Sequence, residues 1–392
     1  MLKIIKTFDP EEFAPLDAVL KDARIVGVGE GAHFVSEFAR TRIALIRFLI
    51  ERHGFNAIAL ECGELQALRL SRWLDSPSDD PLEQSTDLLT VSLYGTVLLW
   101  LKAYLRQKNK PIRLLGIDLP NTLSPGEDLT ALAEATGAID PALQPSVDRL
   151  TALLSPVQGG SAVNASAQWG RIEPALQDEA AGILVRIRLR LKALAPLLEH
   201  DRLQKVQQRV RTIEYTLQTL RIMKSLFEGT ALEGDTSVRD YFMAETIDHA
   251  AQTHPQAKII LLAHNNHIQK TPVSFAGELT ALPMGVYLAK HAYYRAIAQT
   301  HTGPSVPEMD FPAPKSPLGF SVVIAPADEM RPQSIEALVL NGRKTEDSCL
   351  VLIDGAVQAT RIRSQSASVQ TNLNKAFDAV VCAPCATQDG LG

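Results

Sequence analysis

Val26-Gly27-Val28-Gly29-Glu30-Gly31-Ala32-His33, followed by Phe34-Val35-Ser36-Glu37, is the stretch on which the reading of this chain turns. The apolar run from Ile25 to Val28 reads as a short buried strand. Gly27, Gly29 and Gly31 are expected to loosen the backbone after it. An apolar-periodic helix is predicted over residues 34–52, with Gly54 as its C-cap. A glutamate and a histidine therefore fall on a tight turn between a strand and a helix. In open α/β sheets that turn lies at the carboxyl end of the strand, where ligands bind.

Working outward, a second strand at residues 57–60 ends in Glu61, and a third at 112–118 ends in Asp118. Strand, helix and strand at this spacing make a βαβ unit and hence parallel pairing. From about residue 125 to 229 no strand pattern is found. Two long helical patterns, 170–198 and 201–227, read as an antiparallel hairpin whose Arg186, Arg188 and Arg190 form a solvated face while Leu184, Ile187 and Leu191 pack inward. The sheet pattern resumes with a helix at 237–252 and a strand at 258–263, which runs into His264-Asn265-Asn266-His267. Further strands are expected at 294–298, 321–324, 350–353 and 379–381, and the proline-rich run 303–317 as an ordered loop. The expected fold is α/β: a mostly parallel central sheet flanked by helices, with a long helical insertion capping its carboxyl edge. Residues 1–124 and 235–392 would form the core and 125–234 the insertion.

The 392 residues suffice for a large core. Lys plus Arg is 39 and Asp plus Glu 44, so the formal charge is 39 − 44 = −5, a balance that favours neither nucleic acid nor an anionic membrane. No stretch approaches the roughly 18 uninterrupted apolar residues of a membrane span. Lys3, Lys6 and Asp9 interrupt the N-terminus, which does not read as a signal peptide. Four cysteines do not make a disulfide scaffold in a chain this long, so a reducing cytoplasm is expected. Cys382 and Cys385 form a single Cys-x-x-Cys that reads as ordinary tail, and Cys62 as core.

Four strand ends thus carry reactive groups: Glu30 with His33, Glu61, Asp118, and His264 with His267. In a parallel sheet such ends converge on one crevice. Three histidines and two glutamates would suit Zn²⁺ or Mn²⁺. Yet His264 and His267 stand three apart on a loop, and nearby arginines repel a cation, so no metal and no cofactor is expected.

Gly29-Glu30-Gly31-Ala32-His33 with Glu37-Phe38, Ala59-Leu60-Glu61, Arg239-Asp240-Tyr241-Phe242-Met243-Ala244-Glu245 and Ala263-His264-Asn265-Asn266-His267 resemble, in order and interval, the signatures of the erythromycin esterase family. The resemblance covers about residues 24–120 and 235–300. It implies hydrolysis of a macrolide lactone without a serine nucleophile: His33 activates water, Glu30 and Glu61 assist, and Arg42, Arg239 and His267 complete the site. His264, Asn265, Asp118, Phe34 and Met243 are the expected substrate contacts. Two departures stand out. Phe34 occupies a position where many relatives have glycine, and Tyr94-Gly95-Thr96-Val97 lacks an expected acid after the threonine.

The residues agree with that chemistry. Unperturbed histidine titrates near pH 6.5, so a neutral imidazole takes a proton from water near neutrality, and an adjacent carboxylate fixes its tautomer. The chain contains no Gly-x-Ser-x-Gly elbow. The expected partner is a small-molecule substrate, a fairly large apolar natural product, with the oligomeric state left open. Two alternatives stand beside the hydrolase: a biosynthetic enzyme using the same acid–base groups for elimination, cyclisation or group transfer, and a haem- or ligand-binding module.

Overall fold

The computed structural model describes residues 2–108, 110–158, 160–275, 278–311, 316–341 and 346–390. Eight strands form the central sheet: β1 (Leu2–Ile5), β2 (Ile25–Val28), β3 (Ala57–Gly63), β4 (Arg113–Asp118), β5 (Ile259–Leu262), β6 (Tyr294–His301), β7 (Ser348–Leu352) and β8 (Ala379–Ala383). Their order is β1-β7-β8-β6-β2-β5-β3-β4. From β8 through β6, β2, β5 and β3 to β4 every pairing is parallel, whereas β7 runs antiparallel to both β1 and β8. The mostly parallel sheet is therefore present, with an antiparallel edge the sequence did not announce.

The central strands β2 and β5 are buried along their whole length because helices cover both faces. Side-chain alternation divides the core accordingly. Val26, Val28, Ile58, Leu60, Ile260 and Leu262 enter one apolar layer with Leu45, Phe48 and Leu98, while Ile25, Ala57, Ala59, Ile259 and Leu261 enter another with Met243, Ile247 and Leu373. The first helix spans Ser36–His53 and stops at Gly54, whose φ of 71° supplies the left-handed C-cap. Leu88–Lys108 is long and apolar enough by length and composition to cross a membrane, although Thr90, Ser92, Thr96 and Lys102 interrupt its apolar run. Its Val91, Tyr94, Val97, Leu98 and Leu101 lie in the core.

The chain divides into two units, one of Met1–Asp118, Asp240–Phe311 and Phe320–Gly392, the other of Leu119–Arg239 and Pro312–Gly319. The described part of the second is helical, with Pro174–Leu194 and His200–Glu228 packed as the expected pair. Leu184, Ile187 and Leu191 are buried there, and Arg188 and Arg190 pair with Glu214 and Asp140. The run 303–317 is not a loop throughout. Ser305–Asp310 is a strand paired antiparallel with Ser321–Pro326, so the latter belongs to a two-stranded ribbon rather than to the central sheet. Pro307 is tolerated because such a ribbon has edges on both sides; residues 312–315 lie outside the described residues.

Candidate active site

The turn after β2 owes its glycines to close approach rather than to unusual dihedrals. A Cβ at Gly29 would collide with Asn265 Oδ1, and one at Gly31 would lie 2.7 Å from the Gln299 carbonyl oxygen. The backbone of this turn is wedged between the ends of β5 and β6. Asn265 spans that gap: its Nδ2 donates to Gln299 O at 2.7 Å, its Oδ1 accepts from Gln299 N at 3.2 Å, and its own N–H donates to Glu30 O at 2.8 Å. The residue that does adopt a left-handed conformation is Phe34, with φ of 62°. The loosening expected of the glycines thus falls instead on an aromatic residue directly after His33.

His33 Nδ1 lies 2.8 Å from Glu30 Oε1. Arg42 Nη1 donates to Glu30 Oε2 at 2.7 Å and its Nη2 to Ala263 O at 2.9 Å. Arg42 is buried from the second turn of its helix, stacked 5.9 Å from the Tyr94 ring centroid, and its Nε has no hydrogen-bond partner among the described residues. The guanidinium balances the buried Glu30 carboxylate, which in turn fixes the imidazole. His33 N–H donates to Gln365 Oε1 at 3.2 Å.

His264 stands beside it, ring centroids 5.2 Å apart. Its Nε2 lies 3.1 Å from Gly31 O, and its Nδ1 accepts the Asn266 N–H at 3.1 Å. Those two contacts define a neutral ring protonated on Nε2. Burial, reinforced by His33 and His267, pushes its pKa down to about 3. His264 N–H donates to Glu61 Oε2 at 3.2 Å, and Glu61 Oε1 lies 3.3 Å from His267 Nε2. His267 Nδ1 is 2.8 Å from Asp240 Oδ1, which also accepts the Met284 N–H at 2.8 Å. Glu61 sits inside β3 rather than at its end, where the register against β4 shifts between Leu60 and Gly63.

The structure therefore brings Glu30, His33, Arg42, Glu61, His264 and His267 into one contiguous cluster. The side chains of His33 and His267 are 17% and 18% exposed, while Glu30, Glu61 and Arg42 are below 10%, so the two imidazoles form its open face. The five expected substrate contacts are all buried: Asn265 and His264 hold backbone, Phe34 packs 6.0 Å from the Phe320 ring centroid, Met243 lies in the apolar layer, and Asp118 closes β4. Arg239 immediately precedes Asp240 on the helix Ser237–Thr253.

Sequence reasoning passed over Asp240, although it lies within a quoted motif. An acidic residue in the first turn of a helix reads as a partner of the helix dipole. It also passed over Gln365, at the tip of the ribbon Arg361–Ser364 and Ala367–Gln370, and the segment 385–389, described below.

The erythromycin esterase family profile matches residues 50–384. Erythromycin esterase type I of Escherichia coli is 56% identical over 388 residues, covering 98% of this chain and 96% of that protein. A solved structure of a histidine-to-asparagine mutant of the erythromycin esterase EreC, in its open conformation, superposes with a TM-score of 0.97 at 53% identity, covering 100% of this chain and 99% of that one. A succinoglycan biosynthesis protein shares the fold, with a TM-score of 0.72 at 18% identity over 97% and 94% of the two chains.

Proposed function

The chain belongs to the erythromycin esterase family, and from that premise we propose that it hydrolyses the lactone ester of a macrolide with His33 as general base. The observation that carries the assignment is the asymmetry at His33: Nδ1 is bound to a carboxylate that Arg42 anchors, while Nε2 has no protein partner among the described residues. Nε2 takes a proton from water, and the water oxygen attacks the lactone carbonyl. The tetrahedral intermediate expels the ring oxygen, which receives that proton from the imidazolium. Water is thus added across one C–O bond, with Glu30 stabilising the imidazolium between the two transfers. His267 is assigned to the developing oxyanion, where a donor is typically worth about 3–4 kcal/mol, and Glu61, 3.3 Å from its Nε2, supports the charged ring.

The reaction is proposed to run without a metal. Support comes from the donor set: His264 has both nitrogens engaged, His267 faces a carboxylate at each, and His33 offers Nε2 alone. The four cysteines are free thiols, which supports placement in a reducing cytoplasm.

Incubation of the purified protein with erythromycin, followed by mass spectrometry, tests the reading. A gain of one water is expected, with a rate unchanged by chelator. An isomer or an eliminated product without added water would assign the cluster to non-hydrolytic chemistry, and loss of activity with chelator, restored by a divalent ion, would overturn the metal-free mechanism.

A further inference from the structure

Phe34 pairs a bulky side chain with a left-handed backbone, a combination that L-residues avoid unless their surroundings enforce it. The enforcement comes from the far end of the sequence. Asp389 N–H donates to Phe34 O at 2.8 Å, Ser36 N–H donates to Thr387 O at 2.8 Å, and Val35 and Gln388 form an antiparallel bridge. Glu37, buried in the first turn of the following helix, accepts from Thr387 N at 2.8 Å and from Thr387 Oγ1 at 2.7 Å. Thr96 Oγ1 in turn donates to Asp389 Oδ1 at 2.9 Å. The acid missing beside Thr96 in the sequence is thus supplied 293 residues later.

We propose that residues 385–389 are a positioning strap for the catalytic turn: they hold Phe34 left-handed and thereby fix where the His33 ring meets substrate. Phe34 sits in the turn between His33 and the helix that begins at Ser36. Without the strap, Phe34 relaxes toward negative φ and drags the adjacent His33. The Phe34 ring lies 5.9 Å from the His33 ring, so the two side chains move together. Reactive groups misplaced by about 1 Å cost on the order of 10²-fold in rate. The strap reaches substrate only through His33, so Thr387 and Asp389 are positioning residues. This inference rests on His33 being the base.

The test is a cycle between the strap and the strain it opposes. Asp389→Pro removes the N–H that holds the Phe34 carbonyl, and Phe34→Gly makes the left-handed backbone costless. Both variants and their combination are assayed for kcat and KM on erythromycin, with thermal midpoints alongside. Asp389→Pro alone is expected to lower kcat about tenfold or more, in the range set by misplaced reacting groups, with KM within about twofold. In the Phe34→Gly background the same lesion is expected to lower kcat less than about threefold, since no strain remains to be released. Equal losses in the two backgrounds, or a lower thermal midpoint with kcat unchanged, would overturn the strap. If Asp389→Pro does not fold, the pair Thr96→Val and Thr387→Val, which removes only side-chain bonds, is read against the same criteria. His33→Ala separates the two readings: its activity reports on the base, and the coupling between residues 34 and 389 reports on the strap.

Discussion

His33 and His267 each rest on a carboxylate at Nδ1, and they differ at the other nitrogen. His33 has Glu30 behind it, anchored by Arg42, and an Nε2 with no protein partner among the described residues. His267 has Asp240 behind it and Glu61 in front, 3.3 Å from Nε2. A neutral imidazole carries one N–H and can donate to only one carboxylate. A ring between two carboxylates satisfies both only as the imidazolium. In the proposed reaction the first histidine accepts a proton from water and the second holds one, so similar dyads take opposite roles. His264 lies between them, neutral and buried, and keeps a third positive charge out of the cluster.

The largest test of that division is His33→Ala. Loss of a general base lowers kcat by up to about 10⁴-fold, with circular dichroism and the thermal midpoint close to wild type. Activity within tenfold of wild type would falsify the assignment of His33 and shift the base to the other corner. Next in size is Arg42→Met, which strands the buried Glu30 carboxylate without its counter-ion. Breaking a buried pair in this way costs about 3–5 kcal/mol, measurable by urea denaturation. A loss below about 1 kcal/mol, the range of an exposed pair, would mean that Glu30 reaches solvent and that the anchored geometry is not required. Smaller again is Asp240→Asn, which keeps an acceptor for Met284 N–H and removes the charge behind His267. If His267 serves the oxyanion, kcat should fall about 10²-fold, the loss of one donor, with KM nearly unchanged. A loss matching that of His33→Ala would make the two corners equivalent.

The sequence made the His33 corner far more legible than its surroundings. Strands β2, β3 and β5 announce themselves as short apolar runs because both of their faces are buried, and the residues closing those runs point to Glu30, Glu61 and His264 without any knowledge of pairing. Strand β1 and the antiparallel β7 gave weaker signals, since an edge partner is chosen by tertiary contact rather than by local pattern. The two-stranded ribbon that carries Gln365 has only four residues per strand, too few to establish a period. Residues 385–389 looked like tail because their order comes from backbone bonds to residues 34–37, and such bonds leave no mark on side-chain chemistry. Positions set by a residue's own strand or helix could be read; those set by a partner hundreds of residues away could not.

The smallest effect concerns the neutral histidine between the corners, and it is read in stability rather than rate. Burial holds His264 at a pKa of about 3, and burial with the Arg363 charge holds His301, at the end of β6, at about 3 as well. Both folded values lie below the roughly 6.5 of an unfolded histidine. As the pH falls below 6.5 the unfolded chain therefore takes up these protons first, and stability is lost between there and about pH 3. Each histidine contributes a slope of up to about 1.4 kcal/mol per pH unit. Urea denaturation of wild type, His264→Asn and His301→Gln at pH 7, 6 and 5 should show each substitution flattening the acid-side slope by about that amount. His301 lies outside the cluster, so it calibrates what a buried neutral histidine costs in this fold. If His301→Gln flattens the slope and His264→Asn does not, His264 is protonated in the folded state, and the two corners face each other across a charge instead of a neutral spacer.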